Sequence, residues 1–268
     1  MRSSGLFLSL SSIAAWLGGL YAAPAGPDCT GTISSLDDVD AAVACTTVVI
    51  NAFTVPGGQT FNLDLLDGTT ITMAGDVTFG EEVWEGPLFQ ISGDDITCEH
   101  DIHLAMRTDG LGGAGSTKPD PMMKIKISGT YTNVKVLNSP QRVYSVSNPG
   151  TMSQLTIDNS AGDAPNDQSN GGAAGHNTDG FDCSTTDLLI QDSTIMNQDD
   201  CLAINKGSNI TLTRNHCSGG HGISIGSISS DATVSGVTIT DNVITNNDQA
   251  LRIKTKADAA DTSVSDVT

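Results

Sequence analysis

Across residues 176–227, short runs such as residues 187–190 and 210–213 mix apolar and polar positions and are each ended by Asn, Asp or Gly. Runs of that length, bounded by turn residues, predict short β-strands joined by tight turns. The polar clusters beside them include the carboxylates Asp179, Asp199 and Asp200, followed by His221 between two glycines. The reactive side chains are therefore expected at strand ends. Spacing adds a period: Asp179, Asp199, His221 and Arg252 follow one another at intervals of 20, 22 and 31 residues. One turn of a solenoid takes roughly 20 to 45 residues. With neighbouring strands about 4.8 Å apart, four such groups on four coils would span roughly 15 Å, the width of a cleft.

One segment departs from the strand pattern. Residues 35–44, SLDDVDAAVA, read as a helix with a serine cap and an acidic first turn. Such a helix would close the N-terminal end of a solenoid, whose first coil otherwise exposes apolar surface. Composition agrees with many short strands: 29 glycines in 268 residues, only 4% aromatics, and abundant Thr, Ser, Val, Ile and Asn.

Residues 1–23 carry one positive charge, Arg2, then an apolar run from Leu6 to Leu20 and a stretch of small residues. They read as a secretory signal cut near Ala23. The run is broken by Ser and Gly and is too short to span a bilayer. Residues 24–268 are expected to form one domain.

In this order and spacing, HNTDGFD, NQDDCLAIN, GGHGISIGS and RIKTK resemble the four signature segments of fungal endopolygalacturonases, glycoside hydrolase family 28. The likeness runs more loosely from about Cys29 to the last residue. It implies an all-β, right-handed parallel β-helix that hydrolyses the α-1,4 links of homogalacturonan by inversion. Its partner would be polygalacturonate, with no metal or other cofactor, no nucleic acid and no membrane, and the chain would be a secreted monomer.

Inversion needs one protonated carboxyl for the leaving oxygen and one carboxylate to take a proton from water on the opposite face of the sugar. By motif position Asp199 is the general acid, while Asp179 and Asp200 hold and activate the water. Carboxylates so close cannot all ionise easily, so at least one proton is retained at mildly acidic pH. His221 is expected to orient and polarise the carboxyl groups, its flanking glycines leaving room for a sugar ring. Asn177, on one strand face with Asp179, would orient a substrate hydroxyl or stack on its equivalents in neighbouring coils. Asp182 fits a turn or a buried hydrogen-bonding role at least as well as a catalytic one and is left outside the site.

The chain is acidic, with 12 basic against 31 acidic residues and a net charge of -19. Arg252 and Lys254 nevertheless share one strand face and suit a substrate carboxylate, since a local cationic spot can govern binding while net charge governs solubility. The resemblance also supports two disulfides, Cys29–Cys45 and Cys201–Cys217. Cys98 and Cys183 either pair with each other or stay buried and reduced. Asn209-Ile210-Thr211 is a glycosylation sequon, with a plain strand end as the alternative.

Two departures qualify the resemblance. Arg107 and Thr108 stand where the family carries two tryptophans, which alters one wall of the cleft. Residues 261–268 read as the start of another coil and stop without a cap, whereas family members continue for several coils. The expectation is a C-terminally truncated chain, poorly soluble and with little activity. Two further classes compete with the hydrolase: a calcium-dependent pectate lyase, distinguished by chelation, and a β-helical wall-binding protein, distinguished by binding without reducing-end release.

Overall fold

The computed structural model describes residues 28–99, 102–106 and 117–268, so residues 1–23, Arg107 and Thr108 lie outside the described residues. The chain winds as a right-handed parallel β-helix. Among the described residues its strands collect into a 14-stranded and an eight-stranded sheet, and every pairing is parallel. Among the described residues no helix is long and apolar enough to cross a membrane.

The coils are held together by columns of inward side chains in register. One runs Val48, Ile71, Cys98, Tyr131, Met152, Ile190, Leu212, each opposite the next. A second runs Ile91, Ile125, Val146, Cys183, Ile204, Ile225. All of these are buried, and each large apolar side chain removed from water contributes about 1.5–3 kcal/mol. Cys98 and Cys183 are thus rungs of two different apolar columns, and both are free thiols. Burial pushes the Cys98 thiol up to about 12 and the Cys183 thiol well above its ordinary range. They behave as small hydrophobes and do not bridge.

The helix expected at residues 35–44 is much shorter, a 3-10 turn at Leu36–Asp38 followed by a single α-turn at Val39–Ala42. Ser35 makes no side-chain cap; instead the Asp38 carboxylate accepts the Ser34 backbone N–H at 2.9 Å and the Ser35 hydroxyl at 3.0 Å. Asp and Val are weak helix formers, and so short a segment is held by packing and cross-links, not by propensity. Ala42 is buried, and the Cys29–Cys45 disulfide closes the turn onto the first strand, Thr30–Ile33. The Cys201–Cys217 disulfide also forms and ties the strand after Asp200 to the coil that leads into His221.

Asn209 is exposed at a corner of the strand Asp200–Thr213, with a left-handed φ of 55° and its side-chain N–H donating to Asp187 Oδ1 at 2.6 Å. Asp187 takes the same left-handed corner one coil earlier. Short polar side chains tolerate that conformation because they hydrogen-bond locally.

Candidate active site

Four consecutive coils build the site from the strands Phe181–Gln191, Asp200–Thr213, Gly222–Ile228 and Leu251–Thr255. In their ladder Asp182 lies opposite Ala203, Ala203 opposite Ser224 and Ser224 opposite Arg252. The reactive residues enter at the N-terminal edge, where Gly180 N–H bonds to Asp200 O at 2.9 Å and His221 N–H to Asp199 O at 2.8 Å. The register shifts between Asp200 and Leu202, so Cys201 is an extra residue. A bulge of this kind re-aims a side chain, and here Asp200 faces the cleft while Cys201 and Leu202 stay in the core.

Asn197 fixes the backbone of this edge. Its amide donates to the carbonyls of Thr178, Asp199 and Asp200 at 2.9, 3.1 and 3.0 Å. Gln198 donates to Asn159 O and Asp163 Oδ1 and so anchors the loop before Asn177. Both residues belong to the NQDD segment, yet the sequence reading gave weight only to its aspartates.

Asp200 has the most enclosed carboxylate of the site, 1% exposed in its side chain. Its Oδ1 accepts from Ser224 Oγ at 2.7 Å and Arg252 Nη2 at 2.5 Å, and its Oδ2 accepts from Lys254 Nζ at 2.6 Å. Arg252 Nε also donates to Ser224 Oγ at 2.7 Å. The two cations expected to meet a substrate carboxylate are therefore bonded to the protein's own. Asp199 is held differently. Its Oδ1 accepts the Asp200 backbone N–H at 2.8 Å and lies 3.0 Å from His221 Nδ1, and its Oδ2 is 3.4 Å from the Asn177 amide. Asn177 adopts a left-handed φ of 52°, which turns its side chain toward Asp199.

Asp179 has no cation. Burial, and then the negative charges of Asp199 and Asp200, push its carboxyl up to about 8, so it keeps its proton in mildly acidic water. The glycines beside His221 are required by the solenoid itself. A Cβ on Gly220 would stand 2.1 Å from Asp199 O, and one on Gly222 would stand 1.9 Å from Gln249 O. Neighbouring coils approach too closely there for any side chain.

The aspartates open onto a cleft of about 540 Å³ that also reaches Asp120, Arg142, Asp182, Asn205, Lys254 and Lys256. His221 and Arg252 are bonded to Asp199 and Asp200, respectively. Arg142 clasps Asp120 with Nε at 3.0 Å and Nη2 at 2.5 Å, and its Nη1 bonds to Asp182. Asp182 also accepts from Asn205, the extra residue where the register shifts between Cys183 and Ser184. Asp182 thus takes the hydrogen-bonding role allowed for it above, at the edge of the cleft. Its shared ladder row with Ser224 and Arg252 was the available signal.

Asp199, Asp200 and His221 also bring ligand-type atoms within 4.8 Å of one another. They do not suit a cation, because both Asp200 oxygens and His221 Nδ1 already have partners.

A model of the glycosyl hydrolases family 28 matches residues 45–268. A polygalacturonase of Saccharomyces cerevisiae is 42% identical over 248 residues, covering 87% of this chain and 66% of the relative. Endopolygalacturonase I of Aspergillus aculeatus is 42% identical over 239 residues, 84% of this chain and 61% of the relative. This chain therefore spans 61 to 66% of the length of these two relatives. Endopolygalacturonase I from Stereum purpureum, solved in complex with two galacturonates, superposes with a TM-score of 0.81 and 44% identity over 88% of this chain and 72% of that one.

Proposed function

The chain belongs to glycosyl hydrolase family 28, and on that footing we propose that it is a polygalacturonase that cleaves α-1,4-galacturonosyl links within homogalacturonan by inversion. The observation that carries this reading is the set of three aspartates on one open cleft, each in a different environment. Asp200 is bonded to two cations, Asp199 to a histidine and a backbone N–H, and Asp179 is half-buried without a counter-charge. Divergent environments of this kind divide acid from base duties among like groups.

In the proposed reaction Asp199 gives its proton to the glycosidic oxygen as that bond breaks. A water between Asp179 and Asp200 attacks the anomeric carbon from the other face and gives up its proton to a carboxylate of that pair. Burial and the charges of Asp199 and Asp200 push the Asp179 carboxyl up to about 8, so of that pair Asp200 is the carboxylate that takes the water's proton. His221 orients Asp199, and Asn177 holds its second oxygen. Arg252 and Lys254 fix Asp200 and offer a charge that a substrate carboxylate can share.

The likeness to an endopolygalacturonase with bound galacturonate supports this substrate class and internal cutting. Two disulfides support folding in an oxidising compartment, and an exposed Asn209 supports glycan attachment there. The test is incubation with de-esterified polygalacturonate while following viscosity, reducing ends and the anomeric proton signals of early products. Internal cutting drops viscosity before many ends appear, and inversion delivers the β anomer first. Early products that are α, or unsaturated, would refute the assignment.

A further inference from the structure

Outside the cleft, two lysines stand on the outward face of the same sheet. Lys124 and Lys126 alternate with the buried Met123, Ile125 and Ile127 on the strand Met123–Thr132, so both side chains leave the core on one side. Lys124 is half-buried and Lys126 exposed, and among the described residues neither ammonium has an ion pair or a hydrogen bond. On a chain with 12 basic against 31 acidic residues they form a local cationic spot, which can govern binding whatever the net charge.

The ladder aligns this spot with the site. Lys124 lies opposite Ser145 and Ser145 opposite Asp182, so Lys124 belongs to the row that supplies Asp182 and Ala203 to the cleft. It stands two rungs beyond Asp182, roughly 10 Å at the usual strand spacing. Four rungs, roughly 19 Å, separate it from Ser224, which donates to Asp200. A single sugar ring does not bridge that distance, whereas a polymer does. The cleft itself reaches Asp120, just before the strand that carries both lysines. A chain laid across the coils therefore leaves the cleft toward Lys124 and Lys126.

The carboxylates on this face are engaged elsewhere. Asp182 is bonded to Arg142 and Asn205, and Asp120 is clasped by Arg142. Lys126 lies opposite Ser92, whose Oγ donates to Asp64 Oδ1 at 3.0 Å, and Asp94 accepts from Ser128 Oγ at 3.0 Å. Lys124 is flanked by Ser145 and by Gln90, whose side chain donates to Asn62 Oδ1 at 2.8 Å.

We propose that Lys124 and Lys126 form a second, remote anchoring site for a long acidic polysaccharide, holding carboxylates several units from the scissile link, so that the protein favours polymer over short oligomers. The proposal rests on the substrate class assigned above and adds a site beyond the cleft. A lysine ammonium is a compact charge with three donors on a flexible stem, which accepts a carboxylate over a range of positions. Because one ligand joins the two sites, engagement of the cleft raises the effective concentration of carboxylates at the lysines.

The test compares wild type with the double variants Lys124→Ala/Lys126→Ala and Lys124→Arg/Lys126→Arg. Retardation in gels containing polygalacturonate is measured beside KM and kcat on polygalacturonate and on trigalacturonate. The alanine pair is expected to weaken polymer binding about five- to ten-fold, as for two solvent-exposed charge pairs, and the arginine pair restores it. KM on the polymer rises by the same factor with kcat within about two-fold, as for an interaction made equally in ground and transition states. On trigalacturonate, too short to extend from the aspartates to the lysines, the loss shrinks to about two-fold or less. Unchanged polymer binding by the alanine pair, an equal loss on trimer and polymer, failure of arginine to restore binding, or a wild type that the gel does not retard overturns the proposal. Lysine-dependent retardation without reducing-end release sustains it while contradicting the hydrolytic reading, and hydrolysis with retardation independent of both lysines does the reverse.

Discussion

Lys254 Nζ lies 2.6 Å from Asp200 Oδ2, and the Asp200 side chain is only 1% exposed. This lysine, expected from its strand position to hold substrate, thus holds a buried carboxylate whose other oxygen is bonded to Arg252. Both residues line the cleft, and Lys254 is 31% exposed beside the enclosed carboxylate.

Lys254→Met should therefore lower both stability and kcat, not KM alone. Removing one partner of a buried ion pair costs about 3–5 kcal/mol, and the low end applies because Arg252 remains and Lys254 is itself partly exposed. Adding Asp200→Asn should recover part of the stability but none of the activity. Denaturant unfolding and steady-state kinetics on the two variants check this. A rise in KM with unchanged kcat and stability would return Lys254 to a purely substrate-binding role.

Asp179 makes stability depend on pH in a direction unusual for an aspartate. Its carboxyl titrates at about 8 in the fold against an ordinary 3.8. Between those values the folded state binds more protons than the unfolded chain, so the group's contribution worsens as pH rises and the penalty is complete above about pH 8. Asp179→Asn should raise the melting temperature relative to wild type near pH 9 and change it little near pH 4. Equal melting shifts at both pH values would contradict the placement of the proton.

The Cys201–Cys217 bridge encloses a loop with a sequence separation of 16. Loop entropy assigns such a bridge about 3 kcal/mol. Replacing both cysteines with serine should reduce the unfolding free energy by about that amount, with a larger fractional loss of activity than at Cys29–Cys45, because the bridge lies between Asp200 and His221. Equal losses of activity for the two serine pairs would show that it does not position the site.

Much of this was legible because equivalent positions of successive coils fall on one face. Asp179, Asp199 and His221 come from adjacent coils at a regular spacing, and the resemblance of their segments to family motifs added Asp200 and the role of each. Arg142 escaped because a long loop intervenes: Tyr144 lies opposite Phe181, so the coil between them is far longer than the regular repeat. Asn205 reaches Asp182 only through an inserted residue, which no alternation pattern reveals. The glycines at 220 and 222 read as space beside the imidazole, but sequence does not reveal that each also lies against the backbone of a neighbouring coil, Gly220 against Asp199 and Gly222 against Gln249. Cys98 and Cys183 could be told from a bridged pair only by knowing that they sit in separate columns.

The central claim is that the three aspartates divide the work of one displacement, with Asp199 as its proton donor. Reducing-end release by Asp199→Asn beside wild type, on de-esterified polygalacturonate and with circular dichroism confirming the fold, tests it most directly. A general acid is typically worth about 10² to 10⁴ in rate, so the variant should fall by that factor while still binding the polymer. Turnover above about a tenth of wild type, against that same range, with an unchanged spectrum would contradict the claim.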